Sequence, residues 1–275
     1  QRLKALKSAA RDLTLSQRPA WEFDAALGQR KLIEQLRAAS LNAWGASDLS
    51  HAHAAASALL AYAEHTQGRA LSHVRQVHVQ RSDTLIDLPA ATRRNLELVQ
   101  TLRGEDSPTL LSLLDSCRTG MGSRMLRHWL THPLRDRREA LSRHDAIEVL
   151  ITQGFDSLRD ALRGVSDVER TSARVALRQV RPRELSGLRA TLLALPQLKA
   201  RLPAGSPLLA ALHAALEPDD AVADALHAIA DELAVLLRDG GVIATGVDTE
   251  LDELRAISQN CDAFLLDLEQ RERSR

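Results

Sequence analysis

Apolar residues recur every three or four positions along most of this chain, a spacing typical of helices that bury one face. The spacing is clearest after Gly120, where one face of a predicted helix carries Met121, Met125, Leu126, Trp129 and Leu130. The opposite face carries Arg124, Arg127, His128 and Thr131. We therefore predict an amphipathic helix with a buried apolar stripe and with Trp129 in the core. Pro133 ends this helix, because the residue before a proline is pushed out of the α region.

The segment before this helix predicts a long helix, a turn and a short helix. Pro89 suits the first turn of a helix, and apolar residues at helical spacing follow as far as Leu102. Gly104 and Pro108 then stop the first helix. The short helix is expected within the run SPTLLSLLDSC that follows.

The rest of the chain is also mostly helical by pattern. Helices are predicted at 21–36, 50–66, 140–150, 155–162, 168–177, 182–195, 208–216 and 221–237, with Ser50 and Asp136 as N-caps. Between Val74 and Leu88 we expect a small β-hairpin, because β-branched residues lie among polar ones there. Residues 249–275 predict a last helix with coiled-coil-like spacing, an elongated strut of about 40 Å.

Composition places the chain among globular proteins. Its 36 basic residues balance 36 acidic ones, so bulk charge does not indicate a polyanionic partner. Lysine occurs four times against 32 arginines, which we interpret as a compositional habit. Cys117 and Cys261 are far apart and predict no disulfide, which fits a reducing cytosol. No run approaches the roughly 20 apolar residues of a membrane span, and no signal peptide is visible. We therefore expect a cytoplasmic protein.

The sequence contains no motif that indicates nucleotide binding. A phosphate-binding P-loop ends in Gly-Lys, and no lysine in this chain follows a glycine. Gly120 and Gly122 lack the preceding strand and the third glycine of a dinucleotide-binding loop. We also find no Ser/His/Asp set and no close carboxylate pair for hydrolysis. We therefore expect no catalytic and no cofactor-binding residue in this chain.

Histidines offer one weak metal pattern. His128 and His132 have the i, i+4 spacing of two zinc ligands, but neither a third ligand nor a glutamate between them is evident. His51 and His53 are equally unsupported. We expect no metal-binding residue and keep a zinc hydrolase built on His128 and His132 as a hypothesis that metal analysis can test.

Arginine is dense on both sides of the helix that follows Gly120. The cluster comprises Arg93, Arg94, Arg124, Arg127, Arg135, Arg137 and Arg138. Acidic residues interleave with it, namely Glu97, Glu105, Asp115, Asp136 and Glu139. This alternation favours ion-paired helix surfaces over a DNA-binding patch. A platform for single-stranded nucleic acid would also need more than the 3% aromatic residues present.

Several stretches resemble one known family. They are RRNLEL from Arg93, TLL-x-LLD from Thr109 and MGSRMLRHWL-x-HPLRD from Met121. Shorter stretches on both sides agree, among them PAWEFD at 19–24, LLAYA at 59–63, RPREL at 181–185 and RDGGVIA at 238–244. Together they closely resemble the bacterial type of the MutS family of DNA mismatch-repair proteins, and the resemblance covers most of the chain.

The resemblance implies a fragment of a longer protein. Residues 1–70 would form the C-terminal part of a small α/β connector domain. Residues 71–275 would form an elongated, mainly α lever (core) domain that ends where the clamp begins. The family's mismatch-reading Phe-x-Glu motif and its ATPase motifs would lie outside this chain, so ATP and magnesium would belong to the full-length protein. The chain itself would couple DNA binding to the ATPase without hydrolysing ATP.

The resemblance also implies partners. Mismatched duplex DNA would be held mainly by domains outside this chain, and the full-length protein would form a homodimer. A MutL-type partner is expected to dock on the connector domain, which contains the helix at 25–36, where Gln29, Arg30 and Gln35 are predicted to be exposed. We expect the isolated segment to fold, to bind duplex DNA weakly and without mismatch preference, and to have no membrane partner.

Two other functions stay open from the sequence. One is a freestanding helical scaffold that binds other proteins, although no internal repeat of fixed period supports it. The other is a MutS relative that acts on recombination intermediates. The coding sequence on either side of this segment would distinguish them. An upstream Phe-x-Glu with a downstream P-loop indicates a mismatch reader, and a downstream P-loop alone indicates another DNA substrate.

Overall fold

The computed structural model describes residues 17–68, 70–230, 233, 240–259, 269–271 and 273. Contacts divide the chain into two compact units, Gln1–Arg81 and Ser82–Arg275. Both units are helical, and no strand occurs among the residues just given. The mainly α fold class predicted from the sequence is therefore confirmed.

The first unit is built on two α-helices, α1 (Ala25–Leu36) and α2 (Ser50–Gln67), with 3₁₀ turns at Ala20–Phe23 and Asn42–Trp44. Asp24 begins α1 by accepting a hydrogen bond from the Leu27 N–H at 2.6 Å. The prediction of Ser50 as the N-cap of α2 is wrong by one residue, because Leu49 is the cap and makes no side-chain bond.

Helices α1 and α2 touch through their backbones. A Cβ placed on Gly28 would lie 1.9 Å from the carbonyl oxygen of His53 and 3.2 Å from the Cβ of Ser57. Only glycine leaves room for that carbonyl. The His53 side chain is 4% exposed, and its Nε2 lies 2.7 Å from the Ala46 carbonyl oxygen. His53 is therefore a packed, hydrogen-bonded core residue.

The β-hairpin predicted between Val74 and Leu88 is wrong. Residues 74–81 form no helix or strand, and Val77 and Val79 pack against the buried cluster of Leu32, Leu41 and Ala46. The side-chain amide of Gln35 holds this segment by donating to the carbonyls of Leu71 at 2.6 Å and Val74 at 2.9 Å. The alternating valines thus reflect a chain segment that covers a helical core.

Ten α-helices are described in the second unit. They are α3 (Ala90–Asn95), α4 (Leu110–Leu114), α5 (Gly120–Thr131), α6 (Arg137–Gln153), α7 (Asp156–Leu162), α8 (Val168–Ala176), α9 (Pro182–Arg201), α10 (Pro207–Ala215), α11 (Asp220–His227) and α12 (Thr249–Gln259). Asp136 begins α6 by accepting a hydrogen bond from the Arg138 N–H at 2.9 Å, which confirms the predicted cap. Leu188, Leu226 and Ile229 form a buried cluster between α9 and α11.

Helix α3 is much shorter than predicted. It ends at Asn95, and Glu97 takes a left-handed conformation with φ of 45°. The chain then folds back, so that the Glu97 carbonyl accepts from the Leu110 N–H at 3.1 Å and the Leu98 carbonyl from the Leu111 N–H at 2.9 Å. Leu98 is 7% exposed, so its apolar spacing reflects a buried loop and not a continued helix.

Helix α9 continues through a proline that the sequence analysis placed beyond its end. Pro196 lies inside the helix and is exposed, so water can reach the carbonyl that its missing N–H leaves unpaired. Leu198, two residues closer to the C-terminus, is 4% exposed. Burial of Leu198 offsets the hydrogen bond that the proline removes.

The C-terminal region is described in parts. Helix α12 begins at Thr249 as predicted, residues 269–271 are also helical, and residues 260–268 of the predicted strut lie outside the described residues. Part of the helix predicted at 221–237 also falls outside them, and α11 ends at His227. After α11, Ile229 and Ile243 form an antiparallel bridge, with the Ala230 N–H donating to the Val242 carbonyl at 2.8 Å.

Replacing Gly28 by alanine should destabilise the first unit, because the new Cβ would push α1 away from the α2 backbone. We expect a loss of about 3 kcal/mol, in the upper range for overpacking. The chain has three tryptophans, and in a Trp129→Phe background the fluorescence of Trp21 and Trp44 reports urea unfolding of this unit.

Ser57→Ala is the matched control on the facing helix. The Ser57 hydroxyl is buried and has no hydrogen-bond partner among the described residues, so its removal should change the unfolding free energy little. A Gly28→Ala variant as stable as the parent would contradict the backbone contact.

Candidate coupling site

Helix α5 occupies the centre of the stretch that carries the family resemblance, and a polar turn fixes its first residues. Thr119 caps the helix by accepting a hydrogen bond from the Gly122 N–H at 3.0 Å. Asp115 accepts from the Ser123 hydroxyl at 3.0 Å and from the Cys117 N–H at 3.1 Å. The Ser123 hydrogen bond is the main cause that lowers the pKa of Asp115, so this carboxylate stays charged near neutral pH.

The same turn contains the exposed cysteine Cys117. Partial burial is the main cause that raises the pKa of its thiol, and the hydrogen bond to Asp115 raises it further. A raised pKa lowers the thiolate fraction, which makes a nucleophilic role for Cys117 unfavourable. Arg159 of α7 donates to the Ser116 carbonyl at 3.0 Å and so ties the turn to a second helix.

The middle of α5 is held by one arginine with two carboxylate partners. Arg124 donates from Nη1 and Nη2 to the two Asp167 oxygens at 2.7 and 2.8 Å, and from Nη2 to Glu169 Oε2 at 2.6 Å. The two-point geometry with Asp167 fixes orientation as well as distance. The side chain of Asp167 is 29% exposed and that of Glu169 is 63% exposed, so Asp167 is the better shielded partner.

Asp167 also begins helix α8, because its Oδ1 accepts from the Arg170 N–H at 3.2 Å. The hydrogen bonds from Arg124 are the main cause that lowers the pKa of Asp167 from 3.8 to about 2. The pKa of Arg124 is raised in turn, first by Asp167 and then by Glu169. One carboxylate therefore serves as a helix cap and as an ion-pair partner, which links α5 to the start of α8.

The C-terminal half of α5 contacts α6 through a cation and a ring. The guanidinium of Arg143 lies 3.8 Å from the centre of the Trp129 ring and also pairs with Glu139. Trp129 is 41% exposed and Met125 is 48% exposed. The predictions that Trp129 is in the core and that the apolar stripe is buried are therefore wrong, since the ring packs under an arginine at the surface.

Beyond α5, the chain pairs with the segment that precedes α3. The Ile86 N–H donates to the Pro133 carbonyl at 2.8 Å, and the Arg135 N–H donates to the Thr84 carbonyl at 2.9 Å. The Arg135 side chain adds a bond from Nε to the Leu85 carbonyl at 2.7 Å. Both ends of α5 and its middle are thus fixed by polar contacts.

The arginine cluster predicted from the sequence does not act as one surface. Arg138 pairs with the predicted partner Asp136, whereas the partners of Arg124 lie more than 40 residues away and were missed. Arg93, Arg94 and Arg135 donate to the backbone carbonyls of Leu88, Leu102 and Leu85. Arg127 and Arg137 are exposed. Most of these arginines therefore fix loops and helices in place. The prediction of ion-paired surfaces is confirmed for Arg124 and Arg138, and it does not hold for the arginines that donate to backbone carbonyls.

A buried hydroxyl joins α9 to the loop before α8. Thr191 is 2% exposed, and its Oγ1 accepts from the Ser166 N–H at 2.9 Å and donates to the Gly187 carbonyl at 2.9 Å. A Cβ on Gly187 would lie 3.3 Å from the Ser166 Cβ, so loop and helix are in close contact. The loop that presents Asp167 to Arg124 is therefore anchored from its other side.

His128 lies in the last turn of α5, whereas His132 is the C-cap just beyond it. The rings of His128 and His132 stack with centroids 4.5 Å apart, and His132 Nδ1 lies 2.9 Å from the Thr131 hydroxyl. Within the part of the chain that the structure describes, no three His, Cys, Asp or Glu side chains group as metal ligands. None of the described helices is long and apolar enough to cross a membrane.

Acid should weaken the second unit through Asp167. Its pKa is lower in the folded chain than the ordinary 3.8, so the Arg124 contact stabilises fully above about pH 4 and is lost as the pH falls toward about 2. We expect Asp167→Asn, which keeps a capping side chain, to be less stable at pH 7 and to lose less stability on acidification. Urea unfolding at several pH values, followed by the fluorescence of Trp129 in a background with Trp21→Phe and Trp44→Phe, measures both effects.

Asp160→Asn is the control for that comparison. Asp160 is 3.4 Å from Arg163 and its side chain is 65% exposed, so its removal should change stability little. Identical acid limbs in the parent chain and Asp167→Asn would contradict the assigned role of Asp167.

Models of two protein-family domains match most of this chain. A family model described as MutS domain II matches residues 6–75, and one described as MutS domain III matches residues 91–274. The domain III match alone spans more than half of the 275 residues and contains α5, Arg124 and both of its partners. The chain therefore belongs to the MutS family and comprises connector and lever domains of that family.

Proposed function

We propose that this chain is the part of a MutS mismatch-repair ATPase that transmits the DNA-bound state to the ATPase domain. The observation that carries the proposal is the fixation of α5 at its start, middle and end by polar contacts to four separate segments. A helix held in this way moves together with its neighbours, which mechanical coupling requires.

The contacts of α5 also suit an element with two discrete arrangements. Arg124 is shared between the half-buried Asp167 and the exposed Glu169, so it can exchange one carboxylate for the other within a small displacement. Directional hydrogen bonds break and re-form at defined positions, whereas an apolar face slides gradually. A force on α5 would therefore be passed on to α8 as a discrete change.

The wider role is proposed from the family. Mismatched duplex DNA would be held mainly by domains other than II and III, and ATP with magnesium and a second copy of the full-length protein would engage those other domains, in the cytoplasm. The resemblance predicts a domain boundary after residue 70. The two family matches leave residues 76–90 between them, and the compact units divide after Arg81.

We propose that this chain has no catalytic, cofactor-binding or metal-binding residue of its own.

Coupling is tested in the longer protein that contains this segment with its flanking domains. We expect Arg124→Gln to retain mismatch binding and basal ATP hydrolysis but to weaken the effect of mismatched DNA on ATP turnover, because α5 and α8 no longer move together. Steady-state hydrolysis with and without mismatched duplex, together with duplex affinity, measures the two properties separately.

Arg138→Gln is the matched control, because Arg138 pairs with its neighbour Asp136 and is 90% exposed. The 275-residue chain alone serves as a second control and should hydrolyse no ATP. Unchanged mismatch stimulation in Arg124→Gln would refute the coupling role of this contact. An upstream Phe-x-Glu and a downstream P-loop in the coding sequence would establish the mismatch reader over the relative that acts on recombination intermediates.

We further propose that α1 contributes to docking of a MutL-type partner. Arg30 is exposed and Gln29 is half-buried, whereas Gln35 is engaged with the Leu71 and Val74 carbonyls. The predictions that Gln29 and Gln35 are exposed are therefore wrong. Arg30 and the partly accessible Gln29 remain the candidates, because among the described residues neither side chain is held as Gln35 is.

Arg30→Ala and Gln29→Ala should each weaken binding of the MutL-type protein while leaving the fold intact. Arg103→Ala, an exposed arginine of the second unit, is the control. A pull-down or biolayer measurement with the full-length partners tests the surface. Wild-type recruitment by the Arg30 and Gln29 double variant would exclude α1 as the docking helix.

A further inference from the structure

The connection between α8 and α9 is the most basic short segment of the second unit. We define the arginine turn as residues 170–183, which contain Arg170, Arg174, Arg178, Arg181 and Arg183 and no aspartate or glutamate. The whole chain has 36 acidic residues for 36 basic ones. A segment of 14 residues with five arginines and no acidic residue is therefore a local concentration of charge that the overall composition does not explain.

The backbone gathers these arginines around one bend. Arg170 and Arg174 lie one turn apart on α8, and Arg178 follows the helix in a left-handed conformation with φ of 52°. The Gln179 N–H donates back to the Arg174 carbonyl at 2.8 Å and closes the end of α8. Arg181 directly precedes α9, and Arg183 lies in its first turn.

Most of these guanidinium groups are available to a ligand. Arg174 pairs with Glu184 of α9, and Arg170 lies 3.6 Å from Asp167 with its side chain 73% exposed. Arg178, Arg181 and Arg183 are exposed and form no ion pair among the described residues. Three of the five arginines can therefore contact an anion without losing a carboxylate partner, and Arg170 would lose only a long contact to Asp167.

The positions of Arg181 and Arg183 do not favour the fold itself. A helix N-terminus carries partial positive charge, which disfavours cations in the first turn. Glu184 offsets part of this charge by accepting from the Arg181 N–H at 2.9 Å, but two exposed arginines remain beside it. Arginines that stabilise a helix belong at its C-terminus, as Arg178 does for α8. An external anion would compensate the charge that α9 and its arginines leave.

We propose that the arginine turn contacts the phosphate backbone of duplex DNA. Arginine binds phosphate through paired hydrogen bonds, and a row of such contacts gives affinity without sequence preference. The chain is 3% aromatic, so stacking on single-stranded bases is not favoured. This contact goes beyond the coupling role proposed above and does not depend on it.

The test uses the 275-residue chain and a short fluorescein-labelled duplex followed by anisotropy. We expect Arg178→Gln combined with Arg183→Gln to weaken binding several-fold at about 50 mM salt, where phosphate contacts are strong. The slope of log affinity against log salt should fall by about one for each arginine that is lost. Arg170→Gln combined with Arg181→Gln is the second pair and should act in the same direction.

Arg127→Gln combined with Arg137→Gln is the matched control, because both arginines are exposed and lie outside the turn. Circular dichroism of every variant verifies the fold. An equal loss in the control pair would overturn the proposal, because binding would then follow total charge. A poly-glutamate chain that displaces the duplex at equal charge concentration would also overturn it, in favour of an acidic protein partner. Both results are independent of the coupling test, which is made in the longer protein.

Discussion

The two-point contact between Arg124 and Asp167 is the constraint on which the second unit depends most. It joins residues 43 positions apart, and the carboxylate it uses is also the cap of α8. Without the cap, the first N–H groups of α8 lose a partner. Without the arginine, α5 loses the side-chain hydrogen bonds to Asp167 and Glu169 that link it to α8. The position of α5 and the start of α8 are thus set by the two oxygen atoms of one carboxylate.

The first unit is held by a different kind of contact. Gly28 lets the backbone of α1 approach the His53 carbonyl of α2, and such a crossing tolerates almost no displacement. Around α5, by contrast, Trp129 and Met125 are partly exposed, and arginines supply the positioning. Helices held by side-chain hydrogen bonds have alternative partners within reach. The capacity for a discrete shift therefore lies in the second unit.

The structural features that depend on local chemistry could be predicted from the sequence. The pattern after Gly120 predicted α5, Asp136 was correctly predicted as a cap, and the mainly α class followed from spacing alone. Two of the errors share one physical cause, which is that apolar spacing reports burial and not the element that is buried. Leu98 is buried in a loop, and Val77 and Val79 cover a helical core. The error at Trp129 has another cause, because an apolar residue at helical spacing can also pack under a charged side chain at the surface, here Arg143.

The partners of Arg124 could not be found from spacing, because Asp167 and Glu169 belong to a different helix. A usable signal existed all the same. Asp167 precedes an apolar-periodic run as an N-cap should, and a cap with two free oxygen atoms can accept a second donor. Arg124 is the residue of α5 that reaches it, because the first turn of this helix passes beside Asp167: a Cβ on Gly120 would lie 3.6 Å from Asp167 Oδ2, an ordinary contact distance. The arginine one helical turn after Gly120 is thus placed beside the carboxylate that holds the helix.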